Sequence, residues 1–196
     1  ADTGLDMSSC YFKDPINGPP KFSTKEEAKT ACNGQTEATC QAATCDLTQR
    51  KVIQYVTFGD NTDDGGGHGT HCAGSVAGES IIPYGDFVKY NGVSSKAKLS
   101  FFDIGITANG EGSISLPGNL YTDLFAAQYG SGARIFSNSW GSPTSTYTVD
   151  CANTDEFMYD HQDALIIFAA GNDGDLDNAE STVSSPAGAK NVLTVG

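Results

Sequence analysis

The sequence predicts an α/β fold in which a mostly parallel sheet carries helices on both faces. Short β-branched or apolar runs alternate along the chain with stretches of helical periodicity, the pattern of βαβ units. The later runs are continuously apolar, as strands buried on both faces are. Glycine, serine and asparagine cluster directly after these runs, and the carboxyl ends of strands are where such sheets build their sites. A chain of 196 residues is long enough for one domain with a substantial core.

Taken in order, residues 7–50 are polar and rich in Lys, Thr, Asn, Gln and Pro, and show no clear periodicity; they read as an insertion. Lys51–Thr57 is β-branched and alternating, hence a strand. The Gly/Asp-rich turn from Asp60 to Gly67 leads into His68–Ala77, a small-residue run expected to be helical. Lys98–Asp103 is a second strand. Residues 118–130 place Leu120, Leu124 and Ala127 at helical spacing. Ala133–Ser137 is expected as a strand, 150–162 as a helix, Ala164–Ala170 as a strongly apolar strand and Val192–Val195 as a last strand.

Composition excludes several classes. The net charge of -13 repels phosphate backbones, so nucleic acid is not an expected partner, and the same charge favours a soluble monomer. No run of about 18 apolar residues is present, so no membrane span is expected. Of the six cysteines, Cys10, Cys32, Cys40 and Cys45 fall in the polar first 45 residues, where few apolar side chains are available for burial. Disulfides suit that segment better than metal, because Cys40 and Cys45 lack nearby histidine partners. An oxidising compartment, and so a secreted protein, follows. Sequence leaves all three pairings of these four open.

Three groupings carry chemistry. Ser139-Trp-Gly141 and Ala169-Ala-Gly-Asn172 each follow a strand, although glycine and asparagine there are also ordinary turn formers. In His68-Gly-Thr-His71 two histidines three apart, with Asp63 and Asp64 nearby, suggest zinc. The helical zinc signature spaces its histidines four apart around a glutamate, however, so no metal site is assigned. Asp2-Thr-Gly4 is a weak signal alone.

In combination they are specific. The order Asp2-Thr-Gly4, His68-Gly-Thr-His-Cys-Ala-Gly74, Ser139-Trp-Gly141, Ala169-Ala-Gly-Asn172 and Ser184–Gly196 resembles the subtilisin family of serine endopeptidases. The likeness runs from Asp2 to Gly196, with residues 7–50 poorly matched. Leu116–Leu120, Gly132–Ile135 and Ser137–Gly141 resemble the oxidant-stable alkaline branch that carries a C-terminal β-sandwich. The resemblance implies a subtilisin-like three-layer fold and hydrolysis of peptide bonds. His68 would be the general base, Asp2 its orienting carboxylate and Asn172 the oxyanion donor. Ser139, Trp140 and Gly141 would form one wall of the specificity pocket and Ala169, Ala170 and Gly171 the other. The backbone at Gly112 and Ser113 would pair with an extended substrate. Trp140 would shape a neighbouring subsite. Cys72 is expected as a buried free thiol, Cys151 as unpaired within this chain, and Ser185–Pro186 as a cis peptide. No cofactor is required; calcium is allowed as a structural ion, but the Glu79–Asn91 loop is unlike the family's calcium loop. The expected partners are polypeptide substrates and a propeptide.

No Gly-Thr-Ser-Met-Ala motif occurs in residues 1–196, and the strand expected to lead into Asp2 is absent, so this is read as a partial catalytic domain, proteolytically inert as it stands. Two other readings stand beside it. One is a catalytically dead domain that keeps the fold for binding; the other is a metal-dependent hydrolase using His68 and His71.

Overall fold

The structure, a computed structural model, describes residues 1–63, 66–108, 111–174 and 182–196. Its strands are β1 (Phe22–Thr24), β2 (Val52–Thr57), β3 (Leu99–Asp103), β4 (Gly105–Ala108), β5 (Glu111–Ile114), β6 (Ile135–Asn138), β7 (Leu165–Ala169) and β8 (Leu193–Val195). Its helices are α1 (Lys25–Cys32), α2 (Glu37–Thr44), α3 (His68–Ala77), α4 (Ala126–Gly130, continuing a π-helical segment Tyr121–Phe125) and α5 (Val149–Asp160). Strands β1-β2-β3 form one parallel sheet and β6-β7-β8 another. The antiparallel hairpin β4-β5, which the strand pattern does not anticipate, leaves the end of β3.

The predicted sandwiching of the sheet is visible in neighbouring residues. Successive side chains of a strand point to opposite faces. Tyr55 and Phe101 pack in one apolar cluster with Leu5, Phe12 and Ala73 of α3. Their neighbours Val56 and Phe102 pack in another, with Ala28 of α1 and Leu124, Phe125 and Ala127 of the long helical run. Both faces are therefore covered, and the helices at 120–130 and 149–160 stand close to where periodicity places them.

Residues 7–50 differ from expectation. They build β1, α1 and α2 rather than an irregular insertion. The reason lies in capping: the Thr24 hydroxyl accepts from Glu27 N while the Glu27 carboxylate accepts from Thr24 N, a reciprocal box at the start of α1. Thr36 caps α2 one way only, its hydroxyl accepting from Thr39 N. A Cys32–Cys40 disulfide ties the two helices, whereas Cys10, Cys45, Cys72 and Cys151 are free thiols. Burial pushes the Cys45 thiol above its ordinary pKa. The Ser185–Pro186 peptide is cis.

Between the facing edges of β3 and β6 lies a cleft of about 410 Å³, lined by Leu99, Phe101, Ile135 and Phe136 and, at one end, by Asp2, Gly69, Cys72 and Ser139. Residues 1 and 2 bridge the two sheets there. Asp2 pairs with β3, its N–H donating to Phe102 O and its carbonyl accepting from Ile104 N, and Ala1 N donates to Ser137 O.

Candidate active site

Asp2 is brought to the carboxyl end of β3 as a single parallel bridge to Asp103. His68 is the first residue of α3, the helix that follows β2. The two meet: His68 Nδ1 lies 2.6 Å from Asp2 Oδ1. Asp2 is buried, and the imidazole is about half exposed. The carboxylate also accepts from Thr3 N at 2.8 Å, so one oxygen is held by both a backbone donor and the ring.

The start of α3 explains the rigidity of the pair. Its N-cap is Gly67, in a left-handed conformation and without a side-chain cap. The orphan N–H groups of the first turn are satisfied from elsewhere: Gly69 N donates to Thr3 Oγ1 and Thr70 N to Asp63 Oδ2. Thr3 Oγ1 in turn donates to Asp63 Oδ1. Thr3 and Asp63 thus tie the segment after Asp2 to the helix that carries His68. A Cβ at Gly69 would stand 2.2 Å from Gly4 O and 3.2 Å from Asp2 Cβ, so this backbone approach requires glycine. Asp63, weighed in the sequence as a metal ligand, is engaged as a helix-capping group. Asp64 lies outside the described residues.

Cys72, one turn along α3, places Sγ 3.8 Å from both ring nitrogens of His68. Asp2, His68 and Cys72 are the one grouping among the described residues with a ligand atom apiece close enough to share an ion. Cys72 is partly exposed rather than fully buried, and desolvation raises its pKa, which keeps the sulfur as a thiol and a poor nucleophile. His71 is exposed, and among the described residues no hydrogen bond to its ring is found.

The remaining residues sit on the same carboxyl edge. Ser139 follows β6 and lines the cleft with Asp2. Gly141 and Gly171 both abut Ser184: a Cβ at Gly141 would stand 2.6 Å from Ser184 Oγ, and one at Gly171 3.2 Å from Ser184 Cβ. The Ser139–Gly141 and Ala169–Gly171 segments are therefore brought together by the 184–185 chain. That chain pairs with Ser142 on one side, and Ser184 N donates to Ala170 O on the other. Trp140 is 7% exposed and its ring packs edge-on to Phe168 within the core. Ser113 is exposed on β5, where Gly112 pairs with Thr107 and Ser113 with Ile106. Asn172, exposed in the loop after β7, makes no hydrogen bond to the Asp2–His68 pair. In the Glu79–Asn91 loop the carboxylates are engaged by cations, Glu79 by Lys96 and Arg50 and Asp86 by Lys89.

The profile of the subtilase family, Peptidase S8, matches residues 1–196. The chain belongs to the subtilase family. This subtilase is 34% identical over 202 residues to a Dictyostelium discoideum protein described as serine protease/ABC transporter B family protein tagD, a match covering 100% of this chain and 10% of that protein. It is 34% identical over 143 residues to subtilisin-like protease 2 of Pseudogymnoascus destructans, covering 72% of this chain and 30% of the relative. A cuticle-degrading serine protease of Orbilia oligospora is also 34% identical, over 140 residues, 70% of this chain and 28% of the relative. The chain spans about a tenth of the Dictyostelium relative and under a third of the fungal ones. The family accounts for the motif order and for the α/β fold; no described helix is long and apolar enough to cross a membrane.

Proposed function

We propose that this subtilase domain supplies the acid–base half of a serine endopeptidase site. His68 acts as the general base, and Asp2 holds the ring with its proton on Nδ1 and stabilises the imidazolium as it forms. The observation that carries the reading is the 2.6 Å contact between Asp2 Oδ1 and His68 Nδ1, at the carboxyl edge of parallel strands and beside an open cleft. With Nδ1 bonded to the carboxylate, Nε2 is the nitrogen left to take a hydroxyl proton. No serine of residues 1–196 lies in the family's nucleophile motif, so the reading requires one contributed outside them.

In this reading Asn172 donates its amide to the oxyanion. The Ser139–Gly141 and Ala169–Gly171 backbones, with Gly112 and Ser113, take an extended polypeptide as added strand. The chemistry needs no cofactor. The Cys32–Cys40 disulfide supports an oxidising, secreted setting. The likeness of Leu116–Leu120 and Ser137–Gly141 to the oxidant-stable branch supports a following β-sandwich, which the sequence beyond residue 196 decides.

The test uses a chain extended to include the nucleophile motif. A fluorophosphonate should label one serine covalently, and His68→Ala should reduce labelling by several orders of magnitude. An extended chain that folds but is not labelled would favour the domain kept for binding alone. Labelling that survives His68→Ala would overturn the role of His68.

A further inference from the structure

Among the described residues, one carboxyl group outside the Asp2–His68 pair is wholly buried, has no cation beside it, and is bonded to two groups that contact the segment presenting Asp2. Asp103 closes β3 and is 0% exposed. Its Oδ2 accepts from the Tyr55 hydroxyl at 2.7 Å, and its Oδ1 accepts from Gly105 N at 2.9 Å. Tyr55, itself 0% exposed on the neighbouring strand, accepts at the same hydroxyl from Leu5 N at 3.2 Å. Gly105 in turn lies directly against Thr3: a Cβ there would stand 2.1 Å from Thr3 O. Residues 3 and 5 are thereby linked to Asp103 through Gly105 and Tyr55, while residue 2 is paired in the backbone to Asp103 itself.

We infer that Tyr55 and Asp103 are a positioning pair for Asp2, fixing residues 2–5 on the end of β3 so that the Asp2 carboxylate meets His68. The inference rests on the Asp2–His68 reading above. Three features support a dedicated device over plain packing. The pair spends a buried carboxyl group where an apolar side chain would cost less. Burial and the nearby carboxylates of Asp60 and Asp63 push that group up to about 7, a penalty that the fold tolerates. The Tyr55 hydroxyl adds a side-chain link between Leu5 N and the Asp103 carboxyl, beyond the backbone bridge at Asp2 and the contact of Gly105 with Thr3. Without it, Leu5 N and the Asp103 carboxyl would each lose a buried partner.

The test reads His68 in the 196-residue chain by its ring nitrogens, which report the tautomer without any need for a nucleophile. Asp2→Asn comes first and should depopulate the Nδ1–H form of His68, which the Asp2 carboxylate holds at 2.6 Å. If Asp2→Asn leaves that form unchanged, the Asp2–His68 reading fails, and the inference with it. Given that response, Tyr55→Phe should depopulate the Nδ1–H form in the same direction and to a smaller extent. Leu124→Ala, a truncation in the opposite apolar layer, should destabilise the fold without moving His68. An unmoved His68 in Tyr55→Phe, or an equal shift in Leu124→Ala, overturns the positioning role. Should Tyr55→Phe fail to fold, Asp103→Asn is read by the same criteria.

Discussion

Gly69→Ala sets two effects of opposite sign against each other within α3. In an open helix the substitution is stabilising by up to about 1 kcal/mol, because alanine loses less backbone entropy. At Gly69 the added methyl would stand 2.2 Å from Gly4 O and 3.0 Å from Gly4 N, more than an ångström inside ordinary contact with a backbone atom that has no rotamer to change. Relief requires either α3 or residues 2–4 to move by about an ångström, and forced overpacking of this kind costs about 1–3 kcal/mol. The steric cost exceeds the helix gain, so the net loss should be about 1–2 kcal/mol, a fall in Tm of about 2–8 °C. The two elements that must separate are those carrying His68 and Asp2, so their 2.6 Å contact should lengthen beyond hydrogen-bonding range. Gly74, in the same helix, is the matched control: its Cβ would meet only Phe12 Cζ, at 3.9 Å, so Gly74→Ala should raise Tm. Thermal unfolding by circular dichroism, with histidine ring NMR, measures both. A Gly69→Ala protein as stable as the parent, with an unaltered His68 ring, would refute the claim that close backbone approach at this glycine sets the pair.

Other consequences follow from buried polar groups and from the insertion. Asp103 titrates near 3.8 when unfolded and is pushed up to about 7 by burial, so the folded protein binds the extra proton between those values. Its contribution to stability is full below about pH 4 and is lost as pH rises through 7, on the order of 4 kcal/mol across the window. Asp103→Asn should remove that slope, so urea midpoints of variant and parent should diverge between pH 4.5 and 8.5; parallel pH profiles would show that the group does not titrate there. Lys51 is 1% exposed, donates to Ser95 O at 2.7 Å and Ala97 O at 2.5 Å, and is held down to about 8 by desolvation. Lys51→Met should cost about 2–4 kcal/mol at pH 7 by orphaning two carbonyls, measured by urea unfolding; a neutral result would mean that water replaces the ammonium. Replacing both Cys32 and Cys40 by alanine opens a loop with a sequence separation of 8 and should cost about 2–3 kcal/mol. A loss below about 1 kcal/mol would show that capping and packing, not the disulfide, hold α1 to α2.

Much of the fold is legible because its signals are local. Val52–Thr57, Leu99–Asp103 and Leu165–Ala169 are strands with β-branched or apolar runs, and His68–Ala77 is a helix between glycine-bearing ends. The Thr24–Glu27 capping box is equally local and marks the start of α1, although the surrounding polar, cysteine-bearing composition masks it. The hairpin β4-β5 has weak local signals, since its strands are short and contain glycine. The π-helical turn at Tyr121–Phe125 leaves no trace in a period that helical spacing of Leu120 and Leu124 already satisfies.

By itself the sequence determined the family, the α/β class, and which residue types stand after which strands, because these depend on hydrophobic period and motif order along the chain. Only the tertiary structure decided that Thr3 and Asp63 cap the helix of His68, that Trp140 turns its ring into the core, that Cys32 pairs with Cys40, and that Tyr55 and Asp103 underpin the Asp2 segment. Most of those contacts join residues far apart in the chain, and all are set by which strand lies beside which. A hydrogen bond between residue 5 and residue 55, or a carboxyl group with no cation beside it, is dictated by packing against neighbours that no local pattern announces.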